Sequence, residues 1–182
     1  MLNEKKMSKF IDKYSHIFGI GQGCMDPDLS LINDADYYGI DFSKQNVYQL
    51  FFTGSNNFFY GIVKLGDRLD NCPIYLFDLA IASDSKPKFL GNFRTFIGHL
   101  LDEISSFINN DAINDNDSIL TFDNNIYDEN LLEMSIEDMN RDIRKAKKDL
   151  KQFSDETMIF FPSYAWYTID GNPLWANGDP LL

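Results

Sequence analysis

The side chains in this chain that could do chemistry are few in kind: two His, two Cys and 28 Asp and Glu in 182 residues. A nucleophile needs a base within reach, and His16 and His99 are far apart in sequence, with no Gly-x-Ser-x-Gly elbow. Zinc needs three or four thiolate or imidazole ligands, and Cys24 and Cys72 have neither metal spacing nor the pattern of a disulfide framework. Gly19, Gly21 and Gly23 in "GIGQG" superficially resemble a dinucleotide loop, but they follow a helical pattern rather than a strand and lack the third glycine at the required spacing. The segment "NNDAINDNDS" (109–118) alternates oxygen ligands, yet it has neither the central Gly nor the closing Glu of a calcium-binding EF-hand loop. Paired carboxylates remain available for acid–base work, but so acidic a chain offers suggestive pairs everywhere. The expectation is a protein without catalysis, metal or cofactor.

Composition narrows the partners. The formal charge is −12, which argues against a nucleic-acid binder, because such proteins need cations to displace counterions. An acidic surface serves solubility, and it also receives a positively charged protein. The N-terminal "MLNEKKMSKFIDKYSH" has no apolar signal core, and no apolar run approaches the roughly 20 residues of a membrane span. A cytoplasmic location with no membrane partner is expected.

The elements that would position any site are legible in outline. Phe10, Ile11, Tyr14, Ile17 and Phe18 make a helical pattern over 4–18 that stops at the glycines. Met25 to Asn46 is rich in Asp, Asn, Ser and Tyr, and Asp26 before Pro27 reads as the cap of a short helix. Strands are expected at 47–53 and 58–65, joined through Gly54-Ser55-Asn56-Asn57, and at 73–79. Neither of the first two alternates cleanly, so both faces of that hairpin should be covered, one of them by a helix. Asn92 caps a helix over 93–108 with Phe93, Phe96, Ile97, Leu100, Leu101, Ile104, Phe107 and Ile108 on one stripe facing the sheet. His99 sits beside that stripe and reads as structural or solvated.

Residues 109–118 form a polar break, followed by a short strand at 119–122. Ser135 and Asp138 open a charged helix running to about Phe153, with a narrow seam of Met139, Ile143, Ala146, Leu150 and Phe153. Its "RKAKKDLK" reads as a solvated basic face. "MIFFPSYAWYTIDG" is strand-like, and the tail "NPLWANGDPLL" is irregular. The fold class is α+β: an antiparallel β-sheet with helices packed on it, residues 1–117 as the core and 118–182 as a C-terminal helix/strand extension packed on or beside it.

One succession of pieces points further. Phe52-Thr53-Gly54-Ser55-Asn56-Asn57 is followed by Phe59 to Val63, Pro73-Ile74-Tyr75, Phe89-Leu90-Gly91 and Asn92-Phe93-Arg94-Thr95-Phe96-Ile97. Over Val47 to Leu101 this resembles the SUKH superfamily of bacterial toxin-immunity proteins, which also includes a fungal regulator of cell-wall synthesis. The family's core runs strand, tight turn, strand, "P-I/V-Y" strand, small apolar "LG" element and "F-x-x-F-L/I" helix. Asn57-Phe58 stands where the family has a Gly pair, and nothing after about Ser118 takes part. A second immunity family, related to GAD-like domains, has a similar α+β core.

Either resemblance implies an immunity protein that binds a cognate toxin, such as a nuclease effector of contact-dependent or type VI secretion systems, and blocks it without catalysis. The fungal relative implies the alternative of a regulatory or scaffold interaction module. For an acidic binder, the expected contact surface combines carboxylates and aromatics on loops. Two segments have that makeup: Asp34, Asp36, Tyr37, Tyr38 and Asp41 in one, and Trp166, Tyr167, Asp170, Trp175 and Asp179 in the other.

Overall fold

The computed structural model describes residues 2–18, 25–32, 40–42, 46–53, 58–78, 87–114, 119–123, 131–158, 166–168 and 173–174. Its centre is an antiparallel five-stranded sheet. The strands are β1 (Met25–Ile32), β3 (Val47–Thr53), β4 (Phe58–Val63), β5 (Ile74–Asp78) and β6 (Lys88–Gly91), side by side in that order. Beside it lie a three-stranded sheet of β2 (Ile40–Asp41), β9 (Trp166–Thr168) and β10 (Pro173–Leu174), and the hairpin β7 (Ile119–Asp123) with β8 (Leu131–Ser135). Three helices complete the α+β fold: α1 (Leu2–Phe18), α2 (Phe93–Asn114) and α3 (Ile136–Leu150).

Local chemistry explains most of these boundaries. The Asn92 side chain accepts from Thr95 N–H at 2.9 Å and starts α2. Ser135 Oγ accepts from Asp138 N–H at 3.1 Å and starts α3. Gly91, at φ +91°, turns β6 into α2 with a backbone conformation that side chains rarely tolerate. The expected strands 47–53, 58–65 and 73–79 are β3, β4 and β5, paired as neighbours in register from Thr53↔Phe58 and Phe58↔Asp78. The Gly54–Asn57 turn and the "GIGQG" loop lie outside the described residues.

The structure corrects two readings. The expected helix near Pro27 is instead the edge strand β1, pairing Met25↔Thr53 through Ile32↔Val47 with an irregularity between Pro27 and Ser30. Proline has no N–H for a ladder and is tolerated in such an edge position, so pairing with β3 overrides the local signal. Phe89-Leu90-Gly91, the small apolar element of the resemblance, lies in strand β6. Helix α2 continues past Ile108 to Asn114, into the expected polar break. There Asn109 donates to Ser105 O at 2.6 Å and exchanges amide contacts with Asn140 of α3.

Both faces of the five-stranded sheet are covered. On one, Leu50, Phe51, Ile62 and Ile74 meet the apolar faces of α1 and α2, and Met139, Ile143, Ala146, Leu150 and Phe153 of α3 and the turn after it join the same core. The other face carries an aromatic cluster. Phe59 and Phe77 stack at 4.5 Å between centroids, 9° from parallel, and Phe42 sets its edge against both at 5.7 and 5.6 Å. All three are essentially buried, as is Tyr75, whose phenol burial pushes up to about 12.

Gly61 makes that stack possible. A Cβ there would lie 2.8 Å from Phe59 Cε2, 2.9 Å from Phe77 Cε2 and 3.1 Å from Val47 Cγ1. Gly61→Ala is therefore expected to lower stability by about 1–3 kcal/mol through overpacking, measured by urea denaturation. An unchanged midpoint would show that the two rings move aside freely.

Candidate functional site

Of the groups most able to do chemistry, one is built into the core. Cys72 is buried, donates its thiol to Arg68 O at 3.1 Å and accepts from Leu65 N–H at 3.4 Å. Burial pushes that thiol up, the opposite of what a nucleophile needs. His16 Nε2 lies 3.4 Å from the Asp142 carboxylate, with an alignment too poor for a hydrogen bond. His99 is exposed on α2. Among the described residues no group of three or more His, Cys, Asp or Glu side chains could hold a metal ion. Cys24 lies outside them.

Asp70 and Asn92 are the buried polar side chains among the described residues, and they share one task. Asp70 receives Arg68 Nη2 and Ser154 N–H, each at 2.9 Å, and the Asn3 amide. Asn92 Nδ2 donates to Ser154 O at 3.1 Å and Glu156 O at 2.8 Å. Met158 N–H adds a bond to Asn71 O at 2.7 Å. Together they fasten the segment that leaves α3 to the starts of α1 and α2. This is a structural clamp.

The two acidic, aromatic segments meet. Strands β2 and β9 pair antiparallel, Ile40↔Thr168 and Asp41↔Tyr167, while Trp166 pairs with Leu174 of β10. Phe42, the residue after Asp41, is the ring seated on Phe59 and Phe77, so β2 is held at the second face of the main sheet. Asp34, Asp36, Tyr37, Tyr38, Asp170, Trp175 and Asp179 lie outside the described residues. The side-chain surroundings of Asp41, Trp166 and Tyr167 lie outside them too.

Charge is divided between the layers. Residues 1–18 hold Lys5, Lys6, Lys9 and Lys13, and 136–151 hold Arg141, Arg144, Lys145, Lys147, Lys148 and Lys151, together ten of the 16 Lys and Arg in the chain. The two helices pack together. Lys13 Nζ and the Tyr14 hydroxyl both donate to Asp149 at 2.7 Å and, with Lys148 nearby, hold its carboxyl below the usual range. Lys5, Lys6, Lys9, Arg144, Lys148 and Lys151 are exposed and form no ion pair with a described residue. The outer face of the helical layer is thus basic in a protein of charge −12.

Sequence reasoning missed one feature, a groove of about 520 Å³ between α2 and β6. Its floor includes Tyr60 and Leu76, its helical wall Phe96 and Leu100, and its mouth His99, Glu103 and Lys88. Phe107, assigned by its spacing to the sheet-facing stripe, is 43% exposed one turn beyond Glu103. The Phe96, Leu100, Phe107 spacing carried this signal, but it does not distinguish a helix face that is covered from one left open.

No protein family, curated protein or solved structure matches the chain. Among the described residues no helix is long and apolar enough to cross a membrane.

Proposed function

We propose that this protein is an immunity protein, a divergent relative of the SUKH type, that binds a cognate bacterial toxin and neutralises it by non-catalytic protein–protein contact. The observation that carries the reading is the pairing of β2 with β9. It joins two acidic, aromatic segments of the chain in one small sheet, anchored through Phe42 to a rigid aromatic core. A binding surface on variable segments over a fixed scaffold is the arrangement that interaction modules use. The order β3, β4, β5, β6 and α2 supports it, since it follows the succession of elements that the resemblance implies.

Electrostatics favours this side of the molecule for a cationic partner such as a nuclease. The basic outer face of α1 and α3 repels such a partner and the acidic remainder attracts it, which orients the encounter and raises the association rate.

The test uses the toxin encoded beside the gene. Co-expression should protect cells, and the purified protein should bind the toxin with a rate that falls as salt rises. Reversing charge at Asp34 and Asp36 together with Tyr37→Ala should slow association and weaken binding, and Trp166→Ala should cost about 2 kcal/mol or more of affinity. Lys9→Glu with Lys148→Glu, on the basic face, should leave association unchanged or faster. Absence of protection would reject the immunity reading. Loss of binding in the Lys9 and Lys148 variants alone would move the interface to the helical layer.

A further inference from the structure

We propose that the groove between α2 and β6 receives an extended segment of a protein partner. The segment adds as a strand outside β6, seats an apolar side chain over Tyr60, Phe96 and Leu100, and sets a Lys or Arg against Glu103. The inference rests on the reading of this protein as a protein binder and does not require the partner to be a toxin.

The strand edge is the first argument. β6 ends the five-stranded sheet, pairing on its inner side through Leu76↔Lys88, Tyr75↔Phe89 and Ile74↔Gly91, and no described strand pairs with its outer side. Such an edge offers alternate N–H and C=O groups to an added strand, whose main chain supplies affinity while a pocket selects alternate side chains. Here the pocket lies directly beside the edge. Tyr60, Leu76 and Lys88 sit opposite one another across β4, β5 and β6, so a strand added outside Lys88 continues this row.

Of the side chains at the mouth, Lys88 lies on the strand edge itself and Glu103 on the helical wall, so a cation of the occupant belongs on the helix side. Asp102 is satisfied by Lys147 across the helices, but Glu103 forms no ion pair with a described residue. Burial pushes the Tyr60 phenol up and the Glu103 charge pushes it further, so the Glu103 carboxylate is felt at the floor of the groove. A cation placed there gains the Glu103 carboxylate and removes that charge from Tyr60. Exposed Phe107 extends the apolar surface along the helix beyond the carboxylate. A second copy of this chain fits poorly, because it adds two molecules of charge −12.

The experiment titrates isotope-labelled full-length protein with acetyl-Thr-Arg-Val-Phe-Val-Arg-Thr-amide and follows backbone amide shifts. Controls are the same peptide with both Arg replaced by Glu, and one N-methylated along one edge. The Arg peptide should shift the amides of Lys88–Gly91 and of α2 from Phe96 to Phe107. The Glu and N-methyl versions should bind about tenfold more weakly or worse. Glu103→Lys, an exposed substitution expected to fold normally, should reverse the preference between the Arg and Glu peptides. Shifts elsewhere, equal binding of the two charge versions, or no binding at any soluble concentration would overturn the proposal. Toxin protection is scored separately. Peptide binding without protection keeps the groove and rejects immunity, and protection unaffected by Glu103→Lys places the toxin on another surface.

Discussion

Phe10→Ala is expected to cost about 3–5 kcal/mol of folding stability, a large part of what a domain of this size has. Phe10 is 3% exposed and stands where three parts of the chain converge. Its ring meets the edge of Phe93 at the start of α2 at 5.8 Å, Phe153 after α3 at 5.5 Å, and Tyr14 on its own helix at 5.0 Å. Phe93 and Phe153 also touch each other, at 4.8 Å, so truncation opens a cavity between rings that cannot close without moving whole helices. Urea denaturation followed by circular dichroism and by tyrosine fluorescence should show one transition, shifted equally for both probes. Phe153→Ala should shift the same transition. If α3 instead unfolded separately in Phe153→Ala while the sheet kept its midpoint, it would be an independent unit and the shared core would contribute little.

That convergence marks the limit of what local sequence conveys. Helices α2 and α3 are legible because Asn92 and Ser135 are caps followed by apolar stripes, and β3, β4 and β5 because each is a dense apolar run bounded by turn residues. β1 is misread because Asp26-Pro27 imitates a helix start, and only the ladder to β3 decides otherwise. β8 is a short run just ahead of the Ser135 cap, and its strand state is set by the ladder to β7. Candidate binding residues follow the same division. Acidic and aromatic composition singled out Asp41 and Tyr167 separately, but their pairing depends on the whole chain folding back, for which no local pattern exists. The groove at Glu103 is less legible still, since it is a property of the space between two elements rather than of either one.

Asp70 is expected to make the protein acid-sensitive, and Asp70→Asn to remove part of that sensitivity. Asp70 is 1% exposed. Burial by itself would raise its carboxyl, but the Arg68 guanidinium and the Ser154 N–H outweigh burial and hold it below its ordinary value of 3.8. A carboxyl depressed in the folded state stabilises the fold fully above its unfolded value, and that contribution is lost as pH falls through the folded value. The window is thus below about pH 4. Glu4, Asp142 and Asp149 are lowered as well, each next to a lysine, so the wild-type midpoint should fall steeply there. Asp70→Asn keeps the shape and accepts from Ser154 but cannot ionise. Its stability should be lower at neutral pH and its slope below pH 4 shallower. Asp70→Ala also leaves the Ser154 N–H without its acceptor and should cost about 3 kcal/mol at neutral pH. Because Ser154 is held by Asp70 and Asn92 together, the damage should appear first as increased amide exchange at Ser154, Glu156 and Met158. Identical acid slopes for wild type and Asp70→Asn would mean that Asp70 is protonated in the native protein, and the clamp would then be a neutral hydrogen-bond network.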